Sequence, residues 1–246
     1  MDDPVITLRS RFYRNHPPHR PLGHAEEEVA LKASETVFLI VDAYHKGYDD
    51  DHDPGDVDAV YQREVEANRQ IVVNHIKPAK AAARRLGLPV VYLTNYLSPG
   101  LTPRHEWHRL NMRTLNISVF EAWAEPSDAL AFSQVIAPEP GDHLIKKQFY
   151  SGFFETHLDS LLHSLGARNL VTVGFDSRIC LGATVVDALY RSYRVIVLRD
   201  CTGTYEFAET EAGRWANFMA IRFIETSVGN TATAADWIRA CEAARA

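Results

Sequence analysis

Val37-Phe38-Leu39-Ile40-Val41-Asp42 is a continuous apolar run closed by an acid. A run of this kind is what a parallel strand buried on both faces requires. C-terminal to it, residues 64–86 have helical composition closed by Gly87, with Pro78 expected to kink or split the helix. Residues 89–94 read as a second strand and 143–147 as a third. A helix over 158–165 is stopped by Gly166, and a fourth strand over 170–173 ends at Gly174. A helix over 179–192, a fifth strand over 195–198 ending at Asp200, and a helix over 206–221 follow. A short sixth strand is placed at 223–225 and a closing helix at 234–244. Strands alternating with helices imply right-handed crossovers and one parallel sheet covered on both faces, a three-layer α/β/α domain. In such sheets the ligand lies outside the carboxyl ends of the strands, near a switch in strand order. Asp42, Asn95, Lys147 and the 174–180 turn all fall at those ends.

N-terminal to the run the pattern changes. Arg, His and Pro crowd residues 9–24 and the apolar periodicity is weak. Residues 1–34 are therefore assigned to an N-terminal arm, solvated or wrapped on a neighbouring subunit, and residues 35–246 to the folded domain. His16, His19 and His24 in the arm are read as solvated rather than metal-binding.

Hydrophobic residues at 46% and charged residues at 24% are an ordinary globular balance for 246 residues. A net charge of -6 and a pI near 6.0, with basic residues scattered, give no footprint for a nucleic-acid backbone. Cys180, Cys201 and Cys241 are odd in number and widely spaced, which fits reduced thiols better than a disulfide framework. No signal-like start and no apolar run long enough for a membrane span are visible, so a cytoplasmic protein with no membrane partner is expected.

The chemistry concentrates in Gly174-Phe175-Asp176-Ser177-Arg178-Ile179-Cys180, which leaves a buried strand and enters a helix. Cys180 then sits at a helix N-terminus, where free amides and the dipole lower a thiol pKa and can cradle an oxyanion. A nucleophile also needs a proton acceptor held in register. Asp42 can supply the base, and Lys147 can orient that carboxylate and stabilise charge on the substrate. Each has a plainer reading: a buried structural cysteine, a turn-forming aspartate, a solvated lysine.

The apolar strand ending in Asp42, the segment Lys147-Gln148-Phe149-Tyr150-Ser151-Gly152-Phe153-Phe154, and 174–180 followed by Thr184 and Asp187 together resemble the isochorismatase-like cysteine hydrolases. That family includes nicotinamidase, N-carbamoylsarcosine amidohydrolase, biuret hydrolase and ureidoacrylate amidohydrolase. The resemblance covers about residues 37–226 and looks closest to the ureide-hydrolysing branch. It implies a Rossmann-like six-stranded parallel sheet, a catalytic triad of Asp42, Lys147 and Cys180, and a cis peptide between Phe175 and Asp176. It also implies an oxyanion hole from the N–H groups of Asp176 and Cys180, and hydrolysis of a small amide or ureide through a Cys180 acyl-enzyme. A homodimer or homotetramer is expected on the same ground.

Tyr44, Asn95, Tyr96, Tyr150, Phe154 and Phe175 are candidate substrate contacts, and Trp107 is a candidate pocket wall. The chain departs from the family at Ala43-Tyr44-His45, at Asp176 and at Arg178. Asp176 is expected to pair with Arg178 or to accept hydrogen bonds from a substrate NH2. Asn95-Tyr96-Leu97 stands where nicotinamidases carry an Asp-x-His metal cluster, so neither metal nor cofactor is expected, and His105 and His108 are read as surface residues. Two alternatives stay open on this fold: vinyl ether hydrolysis, which needs Asp42 but no nucleophile, and a non-catalytic or redox role for Cys180.

Overall fold

The computed structural model describes residues 3–44, 59–116, 118–124 and 130–245. The founding apolar run is β3 (Thr36–Val41), with every residue buried. Its side chains alternate between two cores, as strand geometry requires. Phe38 and Ile40 join one with Ile76, Tyr92 and Trp237, while Val37, Leu39 and Val41 join the other with Leu93, Leu162 and Leu181. β4 (Val90–Asn95) and β6 (Asn169–Phe175) flank β3 in parallel and are buried throughout. β5 (His143–Lys147), β7 (Arg194–Gly203) and β8 (Asn230–Ala232) complete a parallel set in the order β8-β7-β6-β3-β4-β5. The order reverses between β3 and β6, and that switch point is where a doubly wound sheet opens a crevice.

Among the described residues the sheet is nonetheless mixed and has eight strands, not six parallel ones. β1 (Val5–Arg14) and β2 (Gly23–Lys32) form an antiparallel hairpin, and β1 joins β8 antiparallel through Arg11 opposite Thr231. Both strands lie within residues 1–34. Their signal is weak because only one face is covered: Ile6 and Leu8 on β1 and Val29 and Leu31 on β2 turn inward, while Arg and Glu dominate the other positions. The sixth parallel strand is also misplaced in the sequence reading. Residues 223–225 belong to α7 (Trp215–Ser227), and β8 follows Gly229 as a three-residue polar strand without an apolar run. A Cβ at Gly229 would meet the Val195 carbonyl oxygen at 2.4 Å, so the glycine permits this close approach.

The covering helices are α1 (Ala59–Ile71), α2 (Lys77–Arg85), α3 (Glu106–Leu115), α4 (Val119–Ala122), α5 (Leu158–Ser164), α6 (Cys180–Tyr190), α7 and α8 (Ala234–Arg245). In place of the kink or split expected at Pro78, the backbone stays helical from α1 into α2 through a π-helical turn over Val72–Ile76, in which the Lys77 N–H reaches the Val72 carbonyl, and Pro78 follows that turn directly. α7 begins later than residue 206 because the Glu206 carboxylate accepts the N–H groups of Ala216 and Asn217 and so caps the helix there. Among the described residues no helix is long and apolar enough to cross a membrane.

Glu225 on α7 fastens the hairpin. Its buried carboxylate accepts from Arg11 Nε at 2.6 Å and Thr231 Oγ1 at 2.7 Å, and lies 3.0 Å from His24 Nε2. Burial works against ionisation, but these partners overcome it and hold the carboxyl below the ordinary glutamate range. Glu225→Ala should therefore cost about 3 kcal/mol or more by stranding Arg11, a fall in Tm of roughly 6–12 °C for a chain of this size. Because the folded value lies below the ordinary 4.5, the contribution is complete above pH 4.5 and is lost as pH falls through the folded value. Denaturation of wild type and Glu225→Gln should accordingly converge in acid; a constant gap would contradict the assignment.

Candidate active site

Strand register brings the polar residues level at the switch point. Val41 lies opposite both Leu93 and Gly174, and Asn95 lies opposite Lys147. The chain leaves β3 through Asp42, whose N–H donates to the Leu93 carbonyl at 3.2 Å and whose φ of 45° is in the left-handed region that non-glycine residues seldom occupy. On the neighbouring strand Gly174 has φ +107°, and a Cβ there would lie 2.0 Å from the Val41 carbonyl oxygen. Only glycine allows the two strands to approach so closely beside Asp42.

Lys147 is fully buried and donates to Asp42 Oδ2 at 2.7 Å and to Asn95 Oδ1 at 2.5 Å. The second Asp42 oxygen accepts from the Tyr44 hydroxyl at 3.0 Å, and that hydroxyl accepts the Asn95 N–H at 2.9 Å. Burial first, and then the Asp42 charge, push the Tyr44 phenol far above its usual range, so it remains a donor. For Lys147 burial favours the neutral amine, but the Asp42 charge and the hydrogen bonds to Asp42 and Cys180 outweigh it and lift the pKa. Lys147 therefore stays an ammonium.

Cys180 opens α6, half-buried, and its thiol is engaged by both Asp42 and Lys147. Its pKa is raised, chiefly by burial, with Lys147 opposing and Asp42 reinforcing the rise. The lowering expected from a helix N-terminus is thus outweighed by desolvation, and the resting group is a thiol. The Phe175–Asp176 peptide is cis, as the resemblance implies. The following turn uses most of its amides internally: Ser177 N–H donates to the Gly203 carbonyl, Leu181 N–H to the Asp176 carbonyl, and those of Arg178 and Ile179 to Asp176 Oδ1 at 2.7 and 3.2 Å. The N–H groups of Asp176 and Cys180 have no acceptor among the described residues.

Asp176 neither bridges to Arg178 nor is left free. Oδ1 caps the turn, Oδ2 accepts from Thr204 Oγ1 at 2.5 Å, and burial raises its pKa against these bonds. The Arg178 guanidinium lies over the Phe207 ring, 4.8 Å from its centroid. A separate clamp fixes Cys180 relative to Lys147. Thr184 Oγ1 donates to the Cys180 carbonyl at 2.7 Å and accepts the Gly152 N–H at 2.9 Å, while Ser151 Oγ donates to Asp187 Oδ2 at 2.5 Å.

A family model described as the isochorismatase domain matches residues 36–236. The chain belongs to the isochorismatase family. The ureidoacrylate amidohydrolase RutB of Stutzerimonas stutzeri is 34% identical over 211 residues, covering 79% of each chain. That of Methylorubrum extorquens AM1 is 32% identical over 225 residues, covering 86% of this chain and 83% of its own. Among solved structures, a cysteine hydrolase from Pseudomonas syringae pv. phaseolicola superposes with a TM-score of 0.71 at 23% identity, covering 87% of this chain and 95% of that one. N-carbamoylsarcosine amidase from Thermoplasma acidophilum does so at 0.59 and 23%, covering 81% and 96%. These likenesses in structure show the shared fold. The chain is a cysteine-dependent hydrolase of the isochorismatase family.

Of the substrate contacts expected for a member of this family, Asn95 and Tyr44 join the Asp42–Lys147 network, a tie that sequence did not reveal for Tyr44. Tyr150 and Phe154 are exposed and line a cavity beside α6, and Tyr96 N–H donates to the Lys147 carbonyl at 3.1 Å. Phe175 is buried in the core. His45 lies outside the described residues. His105 caps α3, its Nδ1 accepting the Trp107 N–H at 3.1 Å, and His108 packs edge-on against Phe120. No three His, Cys, Asp or Glu side chains gather as a metal site among the described residues. Because the Cys180 thiol pKa is raised, iodoacetamide should modify Cys180 at a rate that still climbs through pH 9, followed by peptide mass spectrometry; a plateau near pH 7 would show a thiol lowered instead.

Proposed function

We propose that this hydrolase cleaves the C–N bond of a small amide or ureide through a covalent intermediate on Cys180. The observation that carries this reading is the meeting of the Cys180 thiol with the buried Asp42–Lys147 pair, beside two amides that have no acceptor among the described residues. The names of the curated relatives, ureidoacrylate amidohydrolases, supply the substrate class.

A raised thiol pKa means that the proton must leave as the nucleophile attacks. Asp42 takes it from Sγ, the thiolate adds to the carbonyl carbon, and the oxyanion is received by the N–H groups of Asp176 and Cys180. Each such donor is worth on the order of 10²–10³ in rate. Protonated Asp42 gives the proton to the leaving nitrogen as the C–N bond breaks, releasing ammonia or an amine. Asp42 then deprotonates a water, which adds to the thioester or thiocarbamate, and the expelled thiolate recovers the proton. Lys147 holds Asp42 in place and offsets negative charge throughout. Asn95 gives its carbonyl oxygen to Lys147, which leaves its NH2 to face a substrate acceptor, with Tyr96, Tyr150 and Phe154 as further contacts. Trp215, Met219 and Phe223 are exposed along α7, which supports the homodimer or homotetramer that this reading includes.

Cys180→Ala should lower ammonia release from amide and ureide substrates on the order of 10⁴-fold or more while leaving the circular dichroism spectrum unchanged. Cys201→Ala and Cys241→Ala should remain active, since both thiols are buried in the core away from the network. Full turnover by Cys180→Ala would remove the nucleophile.

A further inference from the structure

Each proton in the reaction proposed above passes through Asp42, and both of its carboxylate oxygens are held. Oδ2 accepts from Lys147 at 2.7 Å and Oδ1 from the Tyr44 hydroxyl at 3.0 Å. The terminal torsion of an aspartate is soft. A donor on one oxygen leaves the carboxylate free to turn about that contact, whereas donors on both oxygens fix its plane.

Tyr44 is itself fixed from three sides. Its hydroxyl accepts the Asn95 N–H at 2.9 Å, so its single proton is the one given to Asp42. Its backbone forms an antiparallel bridge with Phe132, and the Ala43 carbonyl beside it accepts the Ser133 N–H at 3.1 Å. Its ring packs against the core that contains Ile40 and Tyr92. Burial and then the Asp42 charge keep the phenol protonated, so this donor is always present. The chain reaches Tyr44 directly from the left-handed turn at Asp42, φ 45°, and Tyr44 lies in the segment that departs from the family pattern.

The sign of the effect separates two roles for such a hydroxyl. A donor favours the charged form of a carboxylate and so weakens it as a base. Were that its whole effect, removing the hydroxyl would speed proton uptake from Cys180. A hydroxyl that sets the carboxylate plane does the opposite, since without it Asp42 turns away from Sγ, and a misplacement of about 1 Å costs on the order of 10²-fold in rate. The bonds of the Tyr44 hydroxyl to Asp42 and Asn95, with its backbone anchored separately, favour the second role. We propose that Tyr44 is a positioning residue that sets the plane of the Asp42 carboxylate against Cys180, rather than a contact for substrate. The proposal rests on the hydrolase reading above and deepens it.

The test is a double-mutant cycle read by acylation with p-nitrophenyl acetate, whose leaving group departs without a proton, so that slow variants stay measurable. The rate of Cys180→Ala is subtracted throughout. Tyr44→Phe should lower the maximal acylation rate about tenfold or more, with the half-saturating concentration within about twofold of wild type. On the Asp42→Asn background the same substitution should change the residual rate by less than about twofold, because a group that acts through Asp42 has nothing left to act on. Tyr44→Gln keeps a donor and an acceptor on a shorter side chain. It should fall between wild type and Tyr44→Phe, lose its effect on the same background, and carry the cycle if Tyr44→Phe does not fold. Equal losses with and without Asp42, a rise in the half-saturating concentration in place of the fall in rate, or a Tyr44→Phe enzyme as fast as wild type would overturn the proposal. The hydrolase reading fails separately, only if wild type cleaves no compound in a panel of simple amides and ureides.

Discussion

The ion pair between Lys147 and Asp42 sets the terms for the rest of the structure. Both groups are withdrawn from water, and desolvation of this kind costs several kcal/mol per ion before any attraction is counted. The pair persists because Asn95 and Tyr44 are arranged to compensate. Asn95 gives Lys147 a second acceptor, Tyr44 gives Asp42 a second donor, and the Tyr44–Asn95 bond closes the circuit. A satisfied network in a low-dielectric site is rigid, and it holds the Asp42 carboxylate in place beside a thiol that burial keeps protonated. A proton transfer from sulfur to carboxylate starts from that arrangement.

Strand register does the positioning. Three of the four network residues stand at the ends of β3, β4 and β5, and the thiol comes in from β6 across the reversal of strand order. Gly174 lets β6 close on β3, and the Thr184 hydroxyl ties the first turn of α6 to the segment after Lys147. The Asp176 side chain, which departs from the family pattern, is absorbed by the same turn. It accepts the Arg178 and Ile179 amides, while those of Cys180 and of its own backbone have no acceptor among the described residues.

How much of this could be read in advance depended on how strongly each element announced itself. β3, β4 and β6 are buried on both faces and so appear as apolar runs, and Asp42, Asn95 and Lys147 were legible because they end such runs or match a family segment. The hairpin before residue 34 was missed because a strand with one covered face and a charged outer face shows few apolar residues. β8 was missed because its position depends on the close contact of Gly229 with Val195, which is long-range. The direction of the Cys180 shift could not be read either, since helix position was visible in sequence but burial was not. Phe175 was read as a candidate substrate contact from its place in the motif; alternation along β6 places it in the core.

The covalent step is the center of this account, and acid quenching of the enzyme during steady-state turnover of a ureide or amide tests it most directly. Mass spectrometry of the digested protein should find the acyl or carbamoyl increment on the peptide that contains Cys180 and on no other. Substrate consumed at an undiminished rate with no modified Cys180 peptide at any quench time, or the increment on a different residue, would contradict it.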